Sequence, residues 1–66
     1  MNMEPDVEIH ATEQMDSTWS AHVIIDSILQ GQSQAHPTAQ AAAEAAWADA
    51  MGEGETPEWT EEPFTL

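Results

Sequence analysis

Thirteen carboxylates and three histidines are the side chains in this sequence that could do chemistry. Acid–base catalysis by two carboxylates needs a cleft that drives their pKa values apart. Glu44 and Asp49 lie five residues apart in a predicted helix, so they do not share a face. No histidine stands beside a serine in a nucleophile motif, and no glycine-rich loop occurs that could cradle a phosphate. The sequence therefore predicts a protein that is not an enzyme.

Metal binding is the second chemistry that histidines and carboxylates allow. His10, His22 and His36 are too widely spaced for a zinc motif, and the sequence has no cysteine. His22 and Asp26 have i, i+4 spacing, which favours a simple hydrogen bond over a set of metal ligands. No calcium-loop pattern is present in the sequence. We therefore predict neither a metal ion nor a cofactor.

The carboxylates themselves are the functional candidate, because the chain has no lysine or arginine and a formal net charge of −13. Such a charge destabilises the compact state by self-repulsion, and solubility alone needs a net charge of only about 2–8. The same sign excludes direct binding to nucleic acid and to an anionic membrane. Neither a signal peptide nor a membrane-spanning apolar run is recognisable. We expect a soluble cytoplasmic protein whose partner is a basic surface.

Residues 16–31 carry the patterns of both a helix and a strand. Asp16 and Ser17 are good N-cap residues and Gly31 is a natural helix stop. Between them, apolar residues recur at helical spacing, at positions 21, 24, 25, 28 and 29. These signals favour a helix over about 17–30. The alternation that starts at Trp19 and the β-branched run at 23–25 favour instead a strand over 19–29.

Residues 37–51 are predicted to form a second helix, because they are rich in alanine and Gly52 follows. Residues 1–15 and 53–66 are predicted to be extended, flexible acidic arms, although alternation at 7–11 would suit a short edge strand. The expected fold is mainly α: one small domain of residues 1–66 with two helices and acidic arms. The alternative is an α+β fold with residues 19–29 as a strand.

The run VIIDSIL at residues 23–29 resembles the signature of the phage uracil-DNA glycosylase inhibitor family, in which a glutamate-serine-isoleucine motif lies in a short apolar segment. Asp26-Ser27-Ile28 take those positions here, with aspartate in place of glutamate. The resemblance implies that Asp26 replaces a DNA phosphate in the enzyme's DNA-binding cleft and that Ser27 adds a hydrogen bond at its edge. It also implies that Trp47, Met51 and nearby alanines line a pocket for the leucine that the enzyme inserts into DNA. The chain is short for the family's five-stranded sheet.

The predicted function is DNA mimicry: a phage protein that evades host defence by blocking the DNA-binding cleft of a uracil-DNA glycosylase. One alternative keeps the mimicry but directs it at a restriction or CRISPR nuclease or a nucleoid protein. Another is an acidic adaptor that docks into a groove through Trp59, Phe64 and Leu66. The residues expected to contact a partner are Asp26, Ser27, Ile28, Leu29, Glu44, Trp47, Met51, Glu58, Trp59, Glu61 and Glu62.

Overall fold

A four-stranded sheet with one helix packed on it forms the structure, a computed structural model that describes residues 6–52 and 54–65. The elements in chain order are β1 (Val7–Glu13), β2 (Trp19–Ile25), β3 (Ile28–His36), α1 (Ala39–Met51) and β4 (Thr60–Glu62). The strand order is β3-β2-β1-β4, antiparallel except that β4 runs parallel to β1. The predicted mainly α fold with two helices is therefore wrong: the domain is mixed α/β.

The predicted N-cap of the first helix is instead a turn between β1 and β2. The Asp16 carboxylate accepts hydrogen bonds from the backbone N–H of Thr18, at 3.0 Å, and from its hydroxyl, at 2.6 Å. The hydrogen bond from the Thr18 hydroxyl, and to a lesser extent that from the Thr18 N–H, holds the pKa of Asp16 below its usual value. Ser17 has a φ of 71°. Aspartate and serine favour such turns for the same reason that they cap helices, since both bond nearby backbone groups.

Residues 17–30 form two strands joined by a tight turn, neither a helix nor the single strand considered over 19–29. Asp26 and Ser27 have φ values of 52° and 67°, and Ile25 pairs directly with Ile28 across them. Positive φ at both central residues is the conformation of a two-residue type I′ hairpin turn. The apolar positions that match a helical period therefore belong to two different strands.

A small-residue core lies between the helix and one face of the sheet. The odd-numbered residues of β1 and β2 face α1, as the alternation of a strand requires. Six of the eight buried apolar residues are alanine, which allows the helix to lie close to the sheet; the full set is Ile9, Ala11, Ala21, Val23, Ala39, Ala42, Ala43 and Ala46. Trp19, Trp47 and Trp59 are half-buried and pack against this core.

The helix and the sheet approach each other closely at Gly31 in β3. A Cβ atom on Gly31 would lie 2.5 Å from the Ala46 carbonyl oxygen and 2.7 Å from the Ala50 nitrogen. Gly31 was predicted to stop a helix, whereas its role in the structure is to leave space for α1. Nearby, the Ser33 hydroxyl donates to the Ala42 carbonyl at 2.6 Å. These contacts fix the distance between α1 and β3.

The second predicted helix is present as Ala39–Met51, two residues shorter at its start than the predicted 37–51. Thr38 is the N-cap, and its hydroxyl accepts from the Ala41 N–H at 3.0 Å. Gly52 ends the helix, with its N–H donating to the Ala48 carbonyl at 2.8 Å. Of residues 6–52 and 54–65, none belongs to a helix long and apolar enough to cross a membrane.

The two predicted arms contribute strands to the sheet. The segment 1–15 supplies β1, which lies between β2 and β4, and the segment 53–66 supplies β4. In register, His10 pairs with Thr60 and Thr12 pairs with Glu62. The parts of these predictions that fall on residues 1–5, 53 and 66 lie outside the described residues. Each arm therefore contributes a strand to the fold, β1 over seven residues and β4 over three.

Candidate functional site

The carboxylates of the sheet are segregated to one side of it. Strands β2 and β3 contain none, whereas β1 and β4 contain two each and Glu58 precedes β4. Because β1 and β4 are neighbours, these acids share one border of the sheet. We call this set the acidic edge, and its members are Glu8, Glu13, Glu58, Glu61 and Glu62. The opposite border, β3, contains no carboxylate of its own, although the Asp49 carboxylate of α1 accepts from the Gln32 N–H of β3 at 3.1 Å.

His10 connects the two strands of the acidic edge. Its Nε2 lies 3.2 Å from Glu8 Oε1 and its Nδ1 lies 3.1 Å from Glu62 Oε2. The hydrogen bond with Glu8, and to a lesser extent that with Glu62, raises the pKa of His10 above its ordinary value of 6.5. Protonated His10 therefore pairs with both carboxylates and offsets part of their mutual repulsion.

Two further hydrogen bonds involve the C-terminal segment: the first lies within it and the second joins it to β1. The Trp59 indole N–H donates to Glu61 Oε2 at 3.1 Å, and the Phe64 N–H donates to Glu13 Oε1 at 3.0 Å. Both acceptors belong to the acidic edge, so its geometry depends on this segment. Of the three residues named for the adaptor alternative, Trp59 packs against the core, Phe64 is exposed and Leu66 lies outside the described residues.

The residues that carry the family resemblance lie at the β2–β3 hairpin, away from β4 in the strand order. Asp26 Oδ1 accepts from the Asp6 N–H at 3.1 Å, and the Asp26 N–H donates to the Asp6 carbonyl at 2.8 Å. Ile28 and Leu29 follow the turn with 61% and 53% of their surface exposed. The hairpin thus presents a carboxylate beside two exposed apolar side chains.

A groove of about 600 Å³ lies between α1 and the segment before β4. Glu44, Trp47 and Ala48 form its helical wall, because i, i+3 and i+4 residues share a helix face. Glu55, Thr56 and Trp59 line the other side, with Gly52 and Gly54. We call this the tryptophan groove. Met51, expected in a pocket with Trp47, is 56% exposed and does not line it.

The structure therefore divides ten of the eleven predicted contact residues among three surfaces, and Met51 lies on none of them. Glu58, Glu61 and Glu62 lie on the acidic edge; Asp26, Ser27, Ile28 and Leu29 lie at the hairpin; and Glu44, Trp47 and Trp59 line the groove. Sequence reasoning missed Glu8, His10 and Glu13 as members of the acidic edge, and Glu55 as a groove residue. The alternation of Val7, Ile9 and Ala11 with Glu8 and His10 was the available signal, since it predicts that the polar residues share the outer face of a strand.

The described part of the chain holds no cluster of three or more histidine, aspartate or glutamate side chains arranged to bind a metal ion. His10 has two carboxylate neighbours, and their geometry is that of hydrogen-bonded ion pairing.

No protein family, curated protein or solved structure gives a significant match to this chain.

Proposed function

We propose that this chain is a DNA mimic that inhibits a DNA-processing protein by occupying its basic DNA-binding cleft. The observation that supports this function most directly is the acidic edge. It concentrates five carboxylates on one border of a sheet whose opposite edge strand, β3, contains no carboxylate of its own. A protein that used charge only for solubility would have no need of this asymmetry.

The spacing of the carboxylates on the acidic edge suits binding to a partner surface that normally binds DNA phosphates. Residues in a strand rise about 3.3 Å each, so Glu8 and Glu13 are separated by about 17 Å along β1. Neighbouring strands lie about 4.8 Å apart, which brings the carboxylates of β4 alongside those of β1. Duplex DNA carries one charge per roughly 1.7 Å of its axis, so the edge reproduces part of that charge density. Carboxylates also offer arginine the same bidentate acceptor geometry as phosphate.

Association with a basic cleft would begin by electrostatic steering, which raises association rates by about 10–10³-fold. Burial of apolar anchors would then slow dissociation. Ile28 and Leu29 are suitable anchors because they are large, exposed and adjacent to Asp26. Relief of self-repulsion by a cationic host adds to the affinity, since the chain has no lysine or arginine of its own.

The specific target that we propose is a uracil-DNA glycosylase, on the strength of the Asp26-Ser27-Ile28 resemblance. A restriction or CRISPR nuclease or a nucleoid protein presents the same cationic chemistry and is the alternative target. We propose a phage origin on the strength of the same resemblance. Because these targets act on DNA, the protein would work in the cytoplasm of the host cell.

The test is competition between this protein and a uracil-containing duplex for a purified uracil-DNA glycosylase, over a series of salt concentrations. We expect binding to displace the duplex and to weaken as salt rises, because exposed charge pairs are screened. Binding that leaves the duplex in place, or that is insensitive to salt, would contradict DNA mimicry. If the glycosylase does not bind this protein but a basic nuclease binds it in competition with DNA, the proposed target is wrong and the proposal of DNA mimicry is retained.

Charge variants locate the contact surface. The double variant Glu61→Gln, Glu62→Gln removes two charges from the acidic edge and keeps the acceptor oxygens that Trp59 and His10 use. The matched control Asp16→Asn, Asp49→Asn removes two charges elsewhere. With about 0.2–1 kcal/mol for each exposed pair, the edge variant should bind about 2- to 30-fold more weakly. The control should stay within about twofold of the parent protein, and equal losses in both variants would exclude the acidic edge as the contact surface.

The hairpin contact has its own matched pair. Asp26→Asn and Asp16→Asn each remove one charge from a turn, at opposite ends of β2, and each keeps an acceptor oxygen for its backbone bond. If the family resemblance holds, Asp26→Asn weakens inhibition of the glycosylase more than Asp16→Asn does. Equal effects of the two substitutions would exclude the role in inhibition that the resemblance assigns to Asp26. They would leave the proposal of DNA mimicry through the acidic edge unaffected.

A further inference from the structure

The tryptophan groove differs chemically from the leucine pocket that the family resemblance implies. Two tryptophans and two glutamates line it, and Met51, the flexible apolar residue expected there, is outside. We propose that the groove receives an arginine side chain of the partner protein. This inference rests on the proposed function, because it names the kind of partner residue that one surface of the mimic would bind.

The groove is built from two parts of the chain that the fold holds together. Glu44 and Trp47 project from one face of α1. The backbone then turns back beyond the helix end, with positive φ at Gly52 (83°) and Gly54 (148°), and brings Glu55 and Trp59 to the other wall. The Trp59 indole N–H is engaged by Glu61, which restrains the ring. The walls are therefore set by the fold before any ligand arrives.

Charge complementarity selects the occupant. A leucine side chain would strip water from two carboxylates and return no hydrogen bond, which carries a desolvation cost. A guanidinium group donates to carboxylates and also stacks on aromatic faces through cation–π contact. Glu44 has a neutral neighbour, the Gln40 amide at 3.2 Å, and the chain contains no lysine or arginine that could fill the groove from within. Its volume of about 600 Å³ lies within the range of roughly 300–1,000 Å³ that is typical of small-ligand sites.

The probe is a blocked single amino acid, acetyl-arginine-amide, titrated into the full-length protein labelled with ¹⁵N. The three tryptophans give three indole N–H resonances, and Trp19, which does not line the groove, is the internal reference. Phenylalanine substitutions assign the peaks. We expect saturable shifts of the Trp47 and Trp59 resonances with the Trp19 resonance unmoved. Acetyl-citrulline-amide, the neutral isostere of arginine, and acetyl-leucine-amide should shift them much less.

The variant Glu44→Gln, Glu55→Gln tests the carboxylates without removing an aromatic wall. Its affinity for acetyl-arginine-amide should fall about fivefold relative to the control Asp16→Asn, Asp49→Asn, which has the same net charge. Both variants should retain the parent melting temperature within a few degrees, since the substituted side chains are exposed.

Three results would overturn the inference: an equal response to leucine and arginine amides, a Trp19 shift as large as the others, or equal affinities of the two double variants. None of these readouts involves a DNA-processing enzyme. Failure of the groove to bind arginine is therefore distinguishable from failure of the protein to inhibit its target.

Discussion

The substitution Gly31→Ala should destabilise this domain more than any other single added methyl group at its glycines in the described part of the chain. The new Cβ would lie 2.5 Å from the Ala46 carbonyl oxygen, 2.7 Å from the Ala50 nitrogen and 2.8 Å from the Ala50 Cβ. Two of these three atoms belong to the backbone of α1, so no rotamer change can relieve the contact. The helix must move away from β3, or β3 must bend.

The size of the effect follows from what overpacking costs in other cores. Extra methyl groups in a packed interior cost about 1–3 kcal/mol, and a clash with backbone on a helix that packs through alanines belongs at the upper end. We therefore expect a loss of about 3 kcal/mol in the free energy of unfolding. For a domain of this length, about 4–8 °C is lost per kcal/mol, which gives a melting temperature lower by roughly 12–24 °C.

The assay is thermal and urea unfolding followed by circular dichroism, with Gly52→Ala as the control. Gly52 has open space around it, but its φ of 83° with a ψ of −146° is a backbone conformation that essentially only glycine adopts, so alanine there meets backbone strain alone, of about 1–3 kcal/mol. The double variant Gly31→Ala, Ala50→Gly should not recover the lost stability, because the Ala46 oxygen and the Ala50 nitrogen remain. Recovery in that double variant, or a loss of less than about 1 kcal/mol for Gly31→Ala, would refute this account of the helix–sheet contact.

Three other substitutions test local features of the structure. Thr38→Ala removes the N-cap acceptor of α1 and should cost about 1 kcal/mol in urea unfolding, with Thr38→Ser close to the parent protein. Ser27→Gly relieves a positive φ in the hairpin turn and should stabilise by about 0.5 kcal/mol, while weakening glycosylase binding if Ser27 makes the expected contact. Pairing with Glu8, and to a lesser extent with Glu62, raises the pKa of His10. The stability that this pairing contributes is therefore complete below about pH 6.5 and is lost as pH rises through the folded-state pKa. Relative to His10→Gln, the parent protein should therefore lose stability as pH rises above about 6.5; a stability difference that stays constant on both sides of that pH would show that the pairing is absent.

The helix α1 was predictable because its signals are local. Alanine content and Gly52 predict it, and only its start differs, since Thr38 is the N-cap and the first helical residue is Ala39. The alternation of residues 7–11 likewise indicated a strand. What it could not indicate is that β1 lies inside the sheet, because that depends on a three-residue strand more than forty residues later that has no apolar pattern of its own.

The error over residues 17–30 has a physical origin in ambiguous residue types. Asp16 and Ser17 suit a turn as well as an N-cap, and Gly31 suits a close helix contact as well as a helix end. The β-branched residues of β2 were the better guide, since strand propensity and a tight turn at Asp26–Ser27 agree with each other. The candidate site was only partly predictable for the same reason: the carboxylates were evident, but their segregation to one edge is a property of strand order.

The parallel pairing of β4 with β1 has a consequence for how the protein is made. The hydrogen bond between His10 and Glu62 joins residues 52 apart, so β1 keeps an open edge until residues 60–62 have left the ribosome. An unpaired strand edge on a nascent chain invites pairing with other chains, and charged side chains on that strand discourage it. Glu8 and Glu13 lie on β1 itself, so the same carboxylates that border the finished sheet protect its unfinished form from aggregation.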